Sequence, residues 1–274
     1  MDDKYSVLKK VFGYDGFRPG QAEIVDAALA GRDVLAVMPT GAGKSVCYQV
    51  PALLLPGVTL VVSPLISLMQ DQVRALVAAG VAAAYLNSSL TANQQALMLR
   101  RAREGRYKII YVAPERLMTQ GFLRFAQEQP VSMVTVDEAH CISQWGHDFR
   151  PSYRQIRAFT GQLPARPVVT AFTATATARV RQDIEEQLGL QEPFRLTAGF
   201  DRPNLRLETR RLTESEKPRA LVEFLLEQGE APGIVYCSTV RQVEETAAML
   251  QGLGIRAAAY HGQMDAARRR QNQE

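Results

Sequence analysis

The 274 residues predict an α/β fold: a doubly wound parallel sheet flanked by helices, followed by part of a second domain of the same kind. Three observations carry this. Short runs rich in β-branched and apolar residues alternate with longer stretches of helical periodicity. The short runs are apolar nearly throughout rather than at every second residue, which marks strands buried on both faces, as in parallel sheets. Repeated strand–helix units wind such a sheet with helices on either side.

In chain order the strand segments are DVLAVM (33–38), VTLVVS (58–63), AAAYL (82–86), YKIIYV (107–112), VSMVTV (131–136) and PVVTAFT (167–173). Helical stretches lie between them, among them PLISLMQDQVRALVAAG and TANQQALMLRRAREG. The latter opens on Thr91, whose hydroxyl suits an N-cap, and closes on Gly105. An arginine-rich break with Pro203 then appears, LTAGFDRPNLRLETRR (196–211). A second round begins after it: helix KPRALVEFLLEQG, strand GIVYC (233–237), helix TVRQVEETAAMLQGLG, strand IRAAAY (255–260), helix MDAARRRQNQ. The expected domains are therefore 1–205 and 206–274. About seventy residues make a marginal core, and a sheet of two or three parallel strands leaves an edge unpaired. The chain is accordingly expected to be a piece of something longer.

Composition narrows the classes. Apolar residues make up 46% of the chain, enough for a core, yet no run of 18 or more suggests a membrane span. The opening MDDKYSVLKK is not a signal segment. Cys47, Cys141 and Cys237 are scattered, which argues against a disulfide framework or a zinc site and for a reducing, cytoplasmic setting. The net charge of +4 is mild and fits a nucleic-acid partner without requiring one. Arginines cluster in RRAREGRYK, DRPNLRLETRR and ARRR, each of which also reads as a solvated face.

The segment VMPTGAGKSVCYQ (37–49) carries chemistry. It runs from a strand through a turn into a helix, the context of a phosphate-binding loop. Met38 stands where that pattern has its first glycine, but Gly41 and Gly43 remain to turn backbone N–H groups, with those of Thr40 and Ala42, toward phosphate oxygens. The helix N-terminus adds its dipole; Lys44 can reach the β/γ-phosphates and Ser45 can offer its hydroxyl to Mg²⁺. A second segment, VSMVTVDEAH, places Asp137 and Glu138 at the C-terminal end of a buried strand, where ligands of open α/β sheets gather. Asp137 can hold the metal and Glu138 can activate water, although two such acids also suit a helix N-terminus.

In the order PTGAGKS, DEAH, FTATAT the chain resembles a superfamily-two helicase. FGYDGFRPGQ, SPLISLMQDQV, YVAPERL and DEAHCISQWGHDFRPSY are similar to motifs of the RecQ family of DNA helicases, over roughly Tyr5 to Met264. The resemblance implies two RecA-like domains that sandwich Mg-ATP and move 3′ to 5′ along single-stranded DNA in repair and recombination. It tolerates Met38. It implies that Tyr14, Arg18 and Gln21 recognise adenine; a Gln amide can pair with the donor and acceptor of that base. It places Ser63 and Gln70 on the DNA backbone and makes 141–153 an aromatic-rich loop coupling DNA to hydrolysis. There Trp145, Phe149 and Tyr153 would stack bases and Arg150 would hold phosphate. Without that context a lone Trp is more often core. His140, Thr173 and Thr175 would relay the nucleotide state, although such threonines equally suit N-caps.

YCSTVRQVEE and YHGQM resemble the opening of the family's second domain, whose later arginine-finger motif does not occur in the 274 residues, nor do its zinc, winged-helix and C-terminal helical modules. The expectation is a piece that binds Mg-ATP and DNA weakly and turns ATP over slowly. Competing readings are an RNA helicase of the same superfamily and a non-motor short form that only binds nucleic acid.

Overall fold

A computed structural model describes residues 3–146, 148–199 and 205–273. Its contacts divide the chain into two units, Met1–Asp201 and Arg202–Glu274. In the first, α1 (Lys4–Phe12) and α2 (Gln21–Leu29) precede β1 (Val34–Val37), α3 (Lys44–Leu54) and β2 (Val58–Val62). Then come α4 (Ile66–Ala78), β3 (Ala83–Leu86), α5 (Ala92–Arg103) and β4 (Ile109–Val112). The unit closes with α6 (Gln120–Glu128), β5 (Val131–Val136), α7 (Gln155–Thr160), β6 (Val168–Thr173), α8 (Ala178–Leu188) and β7 (Phe194–Thr197).

The seven strands form one sheet in the order β3-β4-β2-β5-β6-β1-β7, parallel throughout. Successive side chains of a strand point to opposite faces, and both faces are covered. On one side Leu60, Val62, Ile110 and Val134 pack with Phe122, Phe125 and Phe159. On the other, Val61, Tyr111, Met133 and Phe172 pack with Tyr48, Met69 and Ile24. This is why the strands lack alternation in the sequence, and the expected doubly wound parallel sheet is what forms.

Local signals are realised too. Thr91 accepts from Gln94 N–H while the Gln94 side chain accepts from Thr91 N–H, a closed capping box. Thr177 caps α8 by accepting from Val180 N–H. Two of the arginine clusters hold exposed ion pairs, such as Arg103–Glu128, Arg106–Glu104 and Arg210–Glu208; the second begins outside the described residues.

At the N-terminal rim of the sheet, Asp33 is 1% exposed. It takes both Arg166 Nη groups, Nη1 at 3.1 Å, and accepts from Val169 N–H at 2.9 Å and Gln191 N–H at 2.7 Å. One carboxylate thereby ties the starts of β1 and β6 to the turn before β7.

Two sequence readings are corrected here. The break read over 196–211 begins inside a strand, β7, which pairs with β1, with Phe194 and Leu196 turned to the core and Arg195 and Thr197 exposed. That alternation is the mark of an edge strand, covered on one face. In the second unit, α9 (Lys217–Gln228), α10 (Val240–Gly252) and α11 (Ala266–Gln273) form as read, but 233–237 and 255–260 are not strands. Ile234 and Tyr236 are 80% and 91% exposed. A strand exists by pairing, and among the described residues neither segment has a ladder partner.

Candidate active site

β1 ends in the core. Met38 is buried, its N–H donates to Thr173 C=O on β6, and its carbonyl accepts from the Lys44 ammonium at 3.1 Å. The position is thus a strand terminus, where a packed side chain serves and a glycine is not needed. Left-handed backbone falls instead on Gly41 (φ 84°) and Gly43 (φ 80°), the two glycines the loop retains. A Cβ on Gly43 would lie 2.5 Å from the Gln21 amide nitrogen. Thr40 is exposed and Ala42 half-buried; α3 starts at Lys44, with Ser45 in its first turn.

The segment before α2 braces this loop. Arg18 donates to Gly41 C=O at 2.6 Å. Gln21, 4% exposed, accepts from Arg18 N–H and donates to the carbonyls of Ala42 (2.9 Å) and Gly43 (3.2 Å). Both ends of its amide are therefore engaged by protein, so the expected pairing with adenine requires an exchange of partners. Tyr14 is about half exposed.

β5 delivers the acids. Asp137 is buried, and its N–H extends the ladder to Val62 C=O. Burial, and next the Glu138 carboxylate beside it, push the Asp137 carboxyl up to about 6, against the pull of Lys44 and His140. Tyr153, buried, donates to Asp137 C=O at 2.9 Å and so fixes the strand end. Glu138 has φ 49°, ψ 47°, a conformation that costs a non-glycine residue about 1–3 kcal/mol. His140 then sits 3.3 Å from Glu138 Oε2 and 2.9 Å from Thr173 Oγ1, which itself donates to Thr175 C=O. That assigns the proton of His140 to Nδ1. The expected relay residues do meet, though Thr175 takes part through its backbone.

The donor set fits a magnesium-bound triphosphate. Glycine N–H groups and a helix N-terminus suit phosphate oxygens. Asp137 and the Ser45 hydroxyl are hard oxygen ligands near a lysine whose charge already acts on Asp137.

The loop after Glu138 makes a 3₁₀ turn, Ala139–Ile142, and leads to Trp145, which is 59% exposed. Arg179 lies over the indole with its guanidinium carbon 3.3 Å from the ring centroid. Phe149 is half-buried beneath the Arg154 guanidinium. The remaining expected contacts take the following places in the fold. Tyr153 is the buried strut just described. Ser63 is 1% exposed at the end of β2, where its N–H continues the ladder to Val112 C=O; among the described residues its hydroxyl has no partner. Arg150 pairs with Asp148 and donates to Pro64 C=O. Gln70 bonds Ser89 at 3.3 Å. The sequence reading missed Tyr153 as a support of Asp137 and missed Arg179; a Tyr inside an aromatic run gives no sign of which way it faces.

A parallel sheet with a glycine-turned loop and helix N-terminus after β1 and paired acids after β5 has the arrangement of nucleotide-binding α/β folds. Residues 18–184 match the DEAD/DEAH box helicase family, and the chain belongs to it. Within it, the chain is 47% identical over 270 residues to a Haemophilus influenzae protein named ATP-dependent DNA helicase RecQ, covering 98% of this chain and 43% of that one. The Pasteurella multocida protein of the same name is 48% identical over 268 residues, covering 97% and 42%. The RecQ resemblance read from the motifs is borne out. The chain spans about two fifths of the length of these relatives. The fold also matches the structure of the DEAD-box helicase Mss116 bound to ssRNA and UDP-BeF, with a TM-score of 0.74 at 17% identity over 98% of this chain and 60% of that one. No helix among the described residues is long and apolar enough to cross a membrane.

Proposed function

We propose that this chain is the ATP-binding part of a DNA helicase motor that couples Mg-ATP hydrolysis to 3′–5′ movement on single-stranded DNA and to duplex unwinding, in repair and recombination. The observation carrying the reading is that Lys44, Ser45, Asp137 and Glu138 share the C-terminal rim of one sheet, with the Lys44 charge acting on Asp137. In this reading Lys44 and the loop N–H groups bind the β/γ-phosphates. Ser45 and Asp137 hold Mg²⁺, which when bound neutralises phosphate charge. Glu138 takes the proton of the attacking water, and His140 orients Glu138 while sensing Thr173. Tyr14, Arg18 and Gln21 select adenine, Gln21 releasing the loop carbonyls as it does so. Trp145 and Phe149 meet bases, and Gln70 faces the DNA backbone. The names of the relatives favour DNA over RNA; comparing single-stranded DNA with RNA of the same length separates the two.

The 274 residues by themselves turn ATP over slowly in this reading, because among the described residues 233–237 and 255–260 have no ladder partner and form no second sheet. In calorimetry Lys44→Ala lowers Mg-ATP affinity roughly 10- to 100-fold, the worth of one charge-assisted contact. Unchanged affinity refutes the phosphate-loop assignment.

A further inference from the structure

The cation over Trp145 is out of place by ordinary helix electrostatics. Arg179 is the second residue of α8, directly after the Thr177 cap, where the helix dipole disfavours positive charge. Among the described residues no carboxylate pairs with it; its recorded partner is the indole, at 3.3 Å. The main chain that carries the indole is meanwhile pinned, the Trp145 backbone N–H donating to the Ser143 hydroxyl at 3.2 Å. Beside it, a Cβ on Gly146 would meet His140 C=O at 2.5 Å, so the loop is tightly seated. A fixed aromatic platform thus projects to solvent with one face occupied by a planar cation.

We propose that Arg179 is a latch: it covers the face of Trp145 on which a nucleobase stacks, and single-stranded DNA binds by displacing it. The proposal rests on the reading of Trp145 as a base platform. A base and a guanidinium are both flat groups of similar thickness, and one face accommodates one of them. Stacking of a base strengthens binding roughly 5- to 150-fold and an exposed cation–π contact roughly 2- to 5-fold, rising to about 30-fold when desolvated, so the base displaces the cation at a cost in affinity. Arg179 follows Thr173 and Thr175, which join the His140 hydrogen-bond chain, by only a few residues. Release of the latch therefore frees the first turn of the helix that leaves the ATP-facing segment. The device makes Arg179 a competitor of the base for one face of Trp145.

The test uses the 274-residue chain, whose only tryptophan is Trp145. In Arg179→Ala without DNA, acrylamide quenches the tryptophan fluorescence more strongly than in the parent, and oligo-dT binds roughly 2- to 30-fold tighter, the span of cation–π energies. Arg179→Lys, which keeps the cation, lies between the two. In a Trp145→Ala background Arg179→Ala no longer changes DNA affinity. Weaker binding by Arg179→Ala would show that the cation clamps DNA instead, and a gain that survives removal of the indole would place its cause elsewhere; either overturns the latch. If Trp145→Ala itself leaves oligo-dT affinity unaltered, the platform reading fails first and the latch with it. Melting temperature, read in parallel, identifies any variant that has lost its fold.

Discussion

Glu138→Gln binds Mg-ATP with nearly the parent affinity and hydrolyses it roughly 10²- to 10⁴-fold more slowly, the range lost with a general base. The substitution keeps the volume and the left-handed backbone of Glu138 (φ 49°), so the turn that presents the side chain survives. In the proposed mechanism it removes the acceptor of the proton from water. It also removes the like charge that helps push the buried Asp137 carboxyl up, so the acid proposed to hold the metal ionises more readily and nucleotide binding is retained. The measurement is single-turnover hydrolysis with protein in excess over labelled ATP, beside a binding titration. Equal rates in variant and parent remove Glu138 from the chemistry; lost binding makes it a ligand rather than a base.

Asp33→Ala lowers the stability of the first unit by about 3 kcal/mol, which for a unit of this size moves Tm by roughly 6–12 °C. The site is at the rim opposite the nucleotide loop, so the loss is structural. Arg166 is 37% exposed and can turn to water, which makes the ion pair a small part of the cost. The larger part is the pair of backbone donors, Val169 N–H and Gln191 N–H, left without an acceptor next to buried strands. Thermal unfolding by circular dichroism measures it, and Asp33→Ala combined with Arg166→Ala costs less than the two single changes added. A Tm within a degree or two of the parent would show that water replaces the carboxylate at no penalty.

The first sheet and its nucleotide rim could be read before any coordinates. Val58–Val62 and Ile109–Val112 are apolar without alternation because both their faces are covered, and that constraint is written residue by residue. Gly41 and Gly43 occupy the left-handed positions such a loop demands, and the capping residues Thr91 and Thr177 act within a few residues of themselves. Signals of this range are carried by neighbours in the chain, so composition and spacing expose them. β7 escaped because an edge strand covered on one face looks like the polar linker it adjoins.

What the tertiary structure alone decided is the direction and partnership of side chains whose type was already known. The motif around Tyr153 and Trp145 offers several aromatics within a few residues, yet one is a buried strut under Asp137 and the other projects 59% exposed beneath an arginine from α8. Gln21 spends its amide on the carbonyls of Ala42 and Gly43. The segments 233–237 and 255–260 have the composition of strands and, among the described residues, no ladder. By itself the sequence determined which groups this protein offers at the strand ends, a lysine, a serine and two carboxylates beside turn-forming glycines, because those depend on residue type at short spacing. Which of them face one another, and which are consumed by protein contacts, depends on pairings across tens of residues, and only folding makes those.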